Sequence, residues 1–159
     1  MSPARRILLA VALVVPVAAA ADAGDVRRPL SATLPQAGAT IVVSEGEWEP
    51  RSIGSYSLRV YAANPDFPYD NFITGLVRAR DGILQHIGFS DIDRDGNADI
   101  VVFFRSVGSG NYLAAEAFRF KEGNLTPLAS VSGLRAQDDA MAALRAQFVG
   151  DASGTEVHP

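Results

Sequence analysis

Alternation is the first regularity along the chain. Between Ser55 and Ala62, residues Tyr56, Leu58 and Val60 fall on one face, and Ser55, Ser57 and Arg59 on the other. That is the period of a half-buried strand. A shorter β-type run precedes it at residues 41–44. Residues 72–80 lead into Asp81-Gly82, a hairpin signal, and residues 83–89 return from it. Residues 100–105 (IVVFFR) are apolar on both faces, as expected of a central strand with two covered sides. Residues 112–121 keep strand spacing, Glu122-Gly123-Asn124 marks the next turn, and residues 125–131 are the last strand candidate. Strands joined by tight turns at this spacing predict a mostly β domain, an antiparallel β-sandwich or barrel.

The period then changes. Met141, Leu144 and Phe148 stand at i, i+3 and i+7, one stripe of a helix predicted over residues 136–149. Asp138 and Asp139 suit its N-terminus electrostatically, and Gly150 suits its C-terminal cap. Residues 151–159 read as a flexible tail. Residues 22–40 read as an irregular lead-in, with Pro29 and Pro35 inside it. Residues 64–71 (NPDFPYDN) read as a loop.

The N-terminus sets the compartment. Arg5 and Arg6 precede nine apolar or small residues, 7–15, and then Pro16, Val17 and an alanine run to Ala21. These are the parts of a secretory signal peptide over residues 1–21, with cleavage after Ala21 or Ala23. A membrane-spanning helix needs about 20 apolar residues, and this run is shorter. The predicted location is periplasmic, with no membrane association after cleavage. The remaining 138 residues suit one domain, placed at residues 41–150. Cysteine is absent, so the exported fold rests on its core rather than on disulfides. Thiol nucleophiles and zinc–cysteine sites are excluded with it. Beyond the signal segment, 12 basic residues face 18 acidic ones, a net charge of about −6. That balance argues against nucleic acid and favours a basic partner, chiefly through association rate.

Two segments carry candidate chemistry. The first is Asp91-Ile92-Asp93-Arg94-Asp95-Gly96-Asn97-Ala98-Asp99. Oxygen ligands at alternating positions with a glycine at the bend suit a hard cation, so Asp91, Asp93, Asp95, Asn97 and Asp99 are candidate calcium ligands. An EF-hand is excluded, because the twelfth position is Val102 and the flanks are strands. The stretch resembles the calcium loop of integrin-type propeller repeats, but one copy cannot make a propeller. An Asp/Asn/Gly-rich loop without metal, its charge partly offset by Arg94, is the alternative. No cofactor is required by either reading.

The second is Arg105-Ser106-Val107-Gly108-Ser109-Gly110-Asn111-Tyr112, directly after the apolar strand. Gly108 and Gly110 let the backbone bend and approach another surface. Ser109 and Tyr112 supply uncharged hydroxyl donors. A loop of this kind on a rigid sheet suits insertion into a partner's cleft; composition alone favours an ordinary Gly/Ser turn. Ser109–Tyr112 resembles the Ser-Gly-x-Tyr loop of bacterial periplasmic lysozyme inhibitors. The wider stretch resembles the PliI-like branch directed at invertebrate-type (I-type) lysozymes. It carries Glu49-Pro50-Arg51-Ser52-Ile53-Gly54-Ser55-Tyr56-Ser57, then the acidic loop, the apolar strand and the Ser-Gly-Asn-Tyr loop.

That resemblance implies a protein that acts by binding rather than as an enzyme. Its partner would be a host or environmental I-type lysozyme. Ser109, Gly110, Asn111 and Tyr112 would enter the lysozyme cleft, where glycosidases hold a pair of carboxyl groups. Arg51, Ser55 and Tyr56 form the candidate second contact, Arg51 reaching a carboxylate bidentately; Tyr56 is equally a core residue by its alternation. A homodimer is compatible with the resemblance. The rival class is a calcium-binding adhesion or structural module of the cell envelope. Catalysis by the chain itself finds little machinery: His86 and His158 are its two histidines, and His86 lies within a strand.

Overall fold

The alternating segments assemble into two separate four-stranded sheets. The computed structural model describes residues 27–153. In chain order the strands are β1 (Leu30–Thr33), β2 (Thr40–Glu45), β3 (Ile53–Tyr61), β4 (Phe72–Asp81), β5 (Ile83–Ser90), β6 (Asp99–Arg105), β7 (Leu113–Lys121) and β8 (Asn124–Leu134), followed by helix α1 (Ala140–Ser153). Sheet A is an antiparallel meander β1-β2-β3-β4 and sheet B a meander β5-β6-β7-β8. The two face each other as a sandwich, not a closed barrel.

Between the sheets lie Ile41, Val43, Tyr56, Leu58 and Val60 from sheet A and Ile100, Val102, Phe104 and Phe118 from sheet B. A second cluster lies between sheet B and α1, where Val101, Phe103, Ala115 and Ala117 meet Ala140 and Leu144. Strand β6 therefore has both faces covered, which explains its unbroken apolar run: Ile100 to Phe104 are all buried. The helix stripe serves that packing, with Leu144 fully buried and Met141 and Phe148 packed around it. Asp139 caps the helix, its Oδ1 accepting the Ala142 N–H at 3.0 Å. Asp138 instead accepts the Arg135 N–H at 2.8 Å and shapes the turn before the helix.

Three expectations are corrected. Asp81-Gly82 is not a hairpin turn: β4 pairs with β3 and β5 with β6. Here the chain steps from one sheet to the other. Gly82 has φ +95°, donates its N–H to Ser52 O at 2.8 Å, and lies so close to Arg105 that a Cβ would come within 2.3 Å of its carbonyl oxygen. The lead-in is not irregular throughout, because Leu30–Thr33 pairs with β2 and Leu34 and Ala39 are buried beside it. Short length and flanking prolines hid that strand; pairing with β2 satisfies its backbone. Finally, α1 passes through Gly150 to Ser153, so residues 151–153 are helical rather than part of a flexible tail. The signal segment, its cleavage site and residues 154–159 lie outside the described residues.

Candidate functional site

The loop between β6 and β7, residues 106–112, is closed on itself by hydrogen bonds. Ser106 N–H donates to Tyr112 O, and Tyr112 N–H donates back to Ser106 Oγ, each at 2.9 Å. At the tip, Asn111 N–H reaches Gly108 O at 3.1 Å, with Asn111 at φ +49°. Ser109, Gly110 and Asn111 are exposed, and Tyr112 is 48% exposed. The two glycines differ in role. Nothing lies within 4 Å of a Cβ built at Gly108, whereas one at Gly110 would stand 2.0 Å from the Tyr112 ring. Gly110 is therefore the seat on which that ring rests. The result is a short, braced loop on the strand with both faces buried, with the Ser106 hydroxyl used in bracing and those of Ser109 and Tyr112 on exposed residues.

The loop between β2 and β3, residues 46–52, lies beside it. Ser52 O accepts the Gly82 N–H, and Gly82 packs on Arg105 and Ser106, so the sheet-crossing corner alone separates the two loops. Its organiser is Arg80, whose side chain is fully buried. The guanidinium donates to Arg51 O at 2.8 Å, Pro50 O at 3.1 Å, Ser55 O at 3.2 Å and, more closely, Gly82 O. The Glu45 carboxylate, 3.9 Å away, balances its charge and accepts the Leu84 N–H at 2.6 Å. Glu49 holds the loop from the other side. Its Oε1 accepts the Ser55 hydroxyl at 2.8 Å and its Oε2 the Ser55 N–H. These bonds, with Arg80 and Arg27 nearby, hold the Glu49 carboxyl below its usual pKa.

The second contact set expected from sequence is thus divided. Arg51 is exposed at this end of the sandwich, its carbonyl bound to Arg80. Ser55 is half-buried, and its hydroxyl is committed to Glu49. Tyr56 is a correction: it is fully buried and cannot meet a partner surface. Its ring packs on Phe104 at 4.9 Å, and its hydroxyl donates across the sandwich to Glu116 at 3.0 Å, where Arg78 also bonds at 2.6 Å. Burial first, and then the Glu116 charge, raise the Tyr56 pKa. The inward phase that Tyr56 shares with Leu58 and Val60 prevails.

Sequence reasoning missed Arg80, Glu49 and Trp48. Arg80 had a signal: it follows Leu76 and Arg78 on the inward phase of β4, where a charge must find buried partners. Trp48 had one too, as the chain's single tryptophan set in a polar turn.

The acidic loop forms at the far end of β6. Oxygens of Asp91, Asp93 and Asp99 lie within 4.8 Å of one another. Asp95 and Asn97 turn elsewhere: Asp95 Oδ1 accepts both Asn97 N–H groups, main-chain and side-chain, at 2.8 and 3.1 Å. Asp91 accepts the N–H groups of Asp95 and Gly96, Asp99 that of Ile92, and Asp93 pairs with Arg119 at 2.9 Å. Arg119, from β7, thus supplies the neutralising charge expected of Arg94, which is exposed at φ +62°. Burial, and then the Asp93 and Asp95 charges, push Asp99 up to about 6. Arg145 of α1 donates to Asp91 O at 3.2 Å and ties the helix to this loop. These hydrogen bonds make a self-capped turn. His86, the described histidine, stacks on Phe103 at 4.1 Å between ring centroids.

Residues 27–148 match the model of the family described as periplasmic lysozyme inhibitor of I-type lysozyme. Among solved structures, PliI from Aeromonas hydrophila is similar at 40% identity and TM-score 0.67, over 74% of this chain and 98% of that one. Aeromonas hydrophila PliI in complex with Meretrix lusoria lysozyme is similar at 41% identity and TM-score 0.67, over 74% and 95%. A search of the curated proteins finds no match.

Proposed function

The chain belongs to the family of periplasmic inhibitors of I-type lysozyme, and from that premise we propose that it stops such an enzyme by seating residues 106–112 in the active-site cleft. The observation that carries this reading is the braced loop, with Ser109 exposed at its tip and Tyr112 half exposed over Gly110. Glycosidases of this kind work with two carboxyl groups flanking the scissile bond. The Ser109 and Tyr112 hydroxyls donate to those carboxyl groups where substrate would sit. A hydrogen bond to a charged acceptor contributes about 1.5–3 kcal/mol. The Tyr112 ring adds apolar burial at the centre of the contact. Arg51 stands at the rim as a candidate partner for a surface carboxylate. The partner is a host or environmental I-type lysozyme, approached by a domain of net negative charge. The contact uses no metal.

The test is inhibition of cell-wall lysis across a panel of lysozymes, with Meretrix lusoria lysozyme as the I-type member. The expected outcome is sub-micromolar inhibition of the I-type enzyme, sparing of vertebrate-type enzymes, and no change on calcium chelation. Ser109→Ala and Tyr112→Phe should each raise the inhibition constant about 10- to 100-fold, following the energy of one charged hydrogen bond. Full lysozyme activity in excess inhibitor would overturn the reading. Folded variants with unchanged constants would remove the two hydroxyls from it.

A further inference from the structure

Trp48 is 99% exposed. An indole carries about 150–250 Å² of largely apolar surface, and this fold buries essentially none of it. Its backbone is also unusual, with φ +63° in the left-handed region, which a bulky residue enters only under constraint. A flexible tip would relax that geometry, but this loop is held at several points. Arg27 donates to Gly46 O at 2.6 Å and to Glu49 O. Glu49 grips Ser55 and lies over Gly46 and Gly54, where a Cβ would approach its Oε2 within 2.4 and 2.3 Å. Arg80 holds Pro50 and Arg51 from beneath.

The molecule thus fixes a strained backbone and presents a tryptophan that its own core does not use. Tryptophan is among the residue types enriched at the hot spots of protein interfaces. The position gives the partner. Trp48 is four residues from Ser52, and four residues span at most ~14 Å. Ser52 is bonded to Gly82, which packs on Ser106 at the base of the inhibitory loop. Ile53, Val107 and Tyr112, at the same end, are also exposed. This surface is continuous with the one assigned above to the lysozyme.

We infer that Trp48 is a second anchor of the lysozyme interface, its indole seated on an apolar surface of the enzyme at the margin of the substrate cleft. This rests on the inhibitor reading. Chemistry favours such a seat: a cleft that binds glycan chains offers apolar platforms to the faces of sugar rings, and an indole fits a platform of that kind. A second anchor also fixes the rotation of the inhibitor about the inserted loop, which one projection cannot do.

The experiment measures binding of the mature protein to Meretrix lusoria lysozyme by calorimetry, with Trp48→Asn, Trp48→Ala and Ser109→Ala alongside. Asparagine tolerates positive φ, so Trp48→Asn removes the indole and keeps the loop. Trp48→Ala should melt with the wild type and Trp48→Asn at or slightly above it, because the fold buries nothing of the side chain and asparagine tolerates the positive φ. Their Kd should rise about 30-fold, the effect of losing a hot-spot residue. Incorporated 5-fluorotryptophan gives one ¹⁹F resonance from the single tryptophan, and it should shift when lysozyme is added. If Ser109→Ala weakens binding while Trp48→Asn binds like the wild type, the anchor is refuted and the inhibitor reading stands. A wild-type protein that binds no I-type lysozyme would refute both.

Discussion

Replacing Arg80 with methionine removes the side chain that holds residues 46–52 against the Gly82 corner. Its guanidinium bonds four main-chain carbonyls, those of Pro50, Arg51, Ser55 and Gly82, and faces Glu45 at 3.9 Å. Methionine fills much of the same volume, so the loss is chiefly polar. Each stranded acceptor costs about 1–3 kcal/mol where water cannot reach it. Removing one partner of a buried charge pair costs about 3–5 kcal/mol. The two losses overlap, because one guanidinium makes both sets of contacts. Arg27 also stays 3.5 Å from Glu45 and keeps part of its compensation. The total expected for Arg80→Met is therefore about 3–5 kcal/mol rather than the sum of the contacts. For a domain of this size each kcal/mol lowers Tm by about 3–5 °C, which gives a fall of about 10–20 °C in a thermal melt. Arg80→Lys keeps a charge but loses the planar fork, and should fall roughly halfway. Arg135→Met, at a guanidinium 68% exposed, is the control and should stay near the wild type. The inhibition constant of Arg80→Met, measured well below its melting point, should rise as residues 46–52 loosen. An Arg80→Met protein that melts within ~3 °C of wild type and inhibits equally would refute the view that this guanidinium organises the binding end.

Two further outcomes follow from the same geometry. Gly110→Ala should displace the Tyr112 ring, which a Cβ would overlap at 2.0 Å, and weaken inhibition about tenfold, whereas Gly108→Ala meets nothing and should be neutral; equal inhibition constants for the two variants would show that the seat under Tyr112 has no part in binding. Glu49 has a folded pKa below its ordinary 4.5, through its bonds to Ser55, so its contribution to the loop is complete above that value and is lost as pH falls through the lower folded one; amide exchange at the Ser55 N–H, corrected for intrinsic rates, should quicken across that acid window in the wild type and be pH-flat in Glu49→Gln, and protection unchanged by either perturbation would contradict it.

Much of this was legible in the residues, and the exceptions have physical causes. Strand-like runs between turn signals located strands β2 to β8, with clear alternation at residues 55–62, and the double-sided run at residues 100–105 identified the strand buried between sheet A and α1. Glycines and hydroxyls placed a loop at residues 106–112, but composition alone read it as an ordinary turn, and the family resemblance is what singled it out. Sequence could not say which sheet a strand joins. Asp81-Gly82 has the composition of a hairpin turn, but the next strand pairs with β6, and that choice is made by long-range pairing and not by the turn. Tyr56 shows the opposite case. Its alternation with Leu58 and Val60 already placed it inward, and the pull of a neighbouring motif assigned it to the surface. Arg80 was invisible as an organiser because its four acceptors come from residues 50–55 and 82, which only the fold brings together.

The placement of the candidate contacts has a consequence for affinity. Binding costs the ordering of whatever is mobile beforehand, about 0.5–1.5 kcal/mol for each immobilised side chain. Residues 106–112 leave from β6, whose two faces are sealed by Tyr56, Leu58 and Val60 on one side and by α1 on the other. The loop is then closed at its base by two hydrogen bonds of 2.9 Å. Residues 46–52 have no such strand behind them and are stiffened by Arg80, Glu49 and Arg27 instead. One loop is made rigid by apolar burial and the other by buried charge, and the two meet at the Gly82 corner. Acid should therefore act on residues 46–52 more than on residues 106–112, through the Glu49 carboxylate. The acidic loop sits at the opposite end of β6, held by its own backbone hydrogen bonds and by Arg119 and Arg145. The Asp91 carbonyl and the Ser90 hydroxyl, both bonded to Arg145, tie this end of sheet B to the helix, at the opposite end of β6 from residues 106–112.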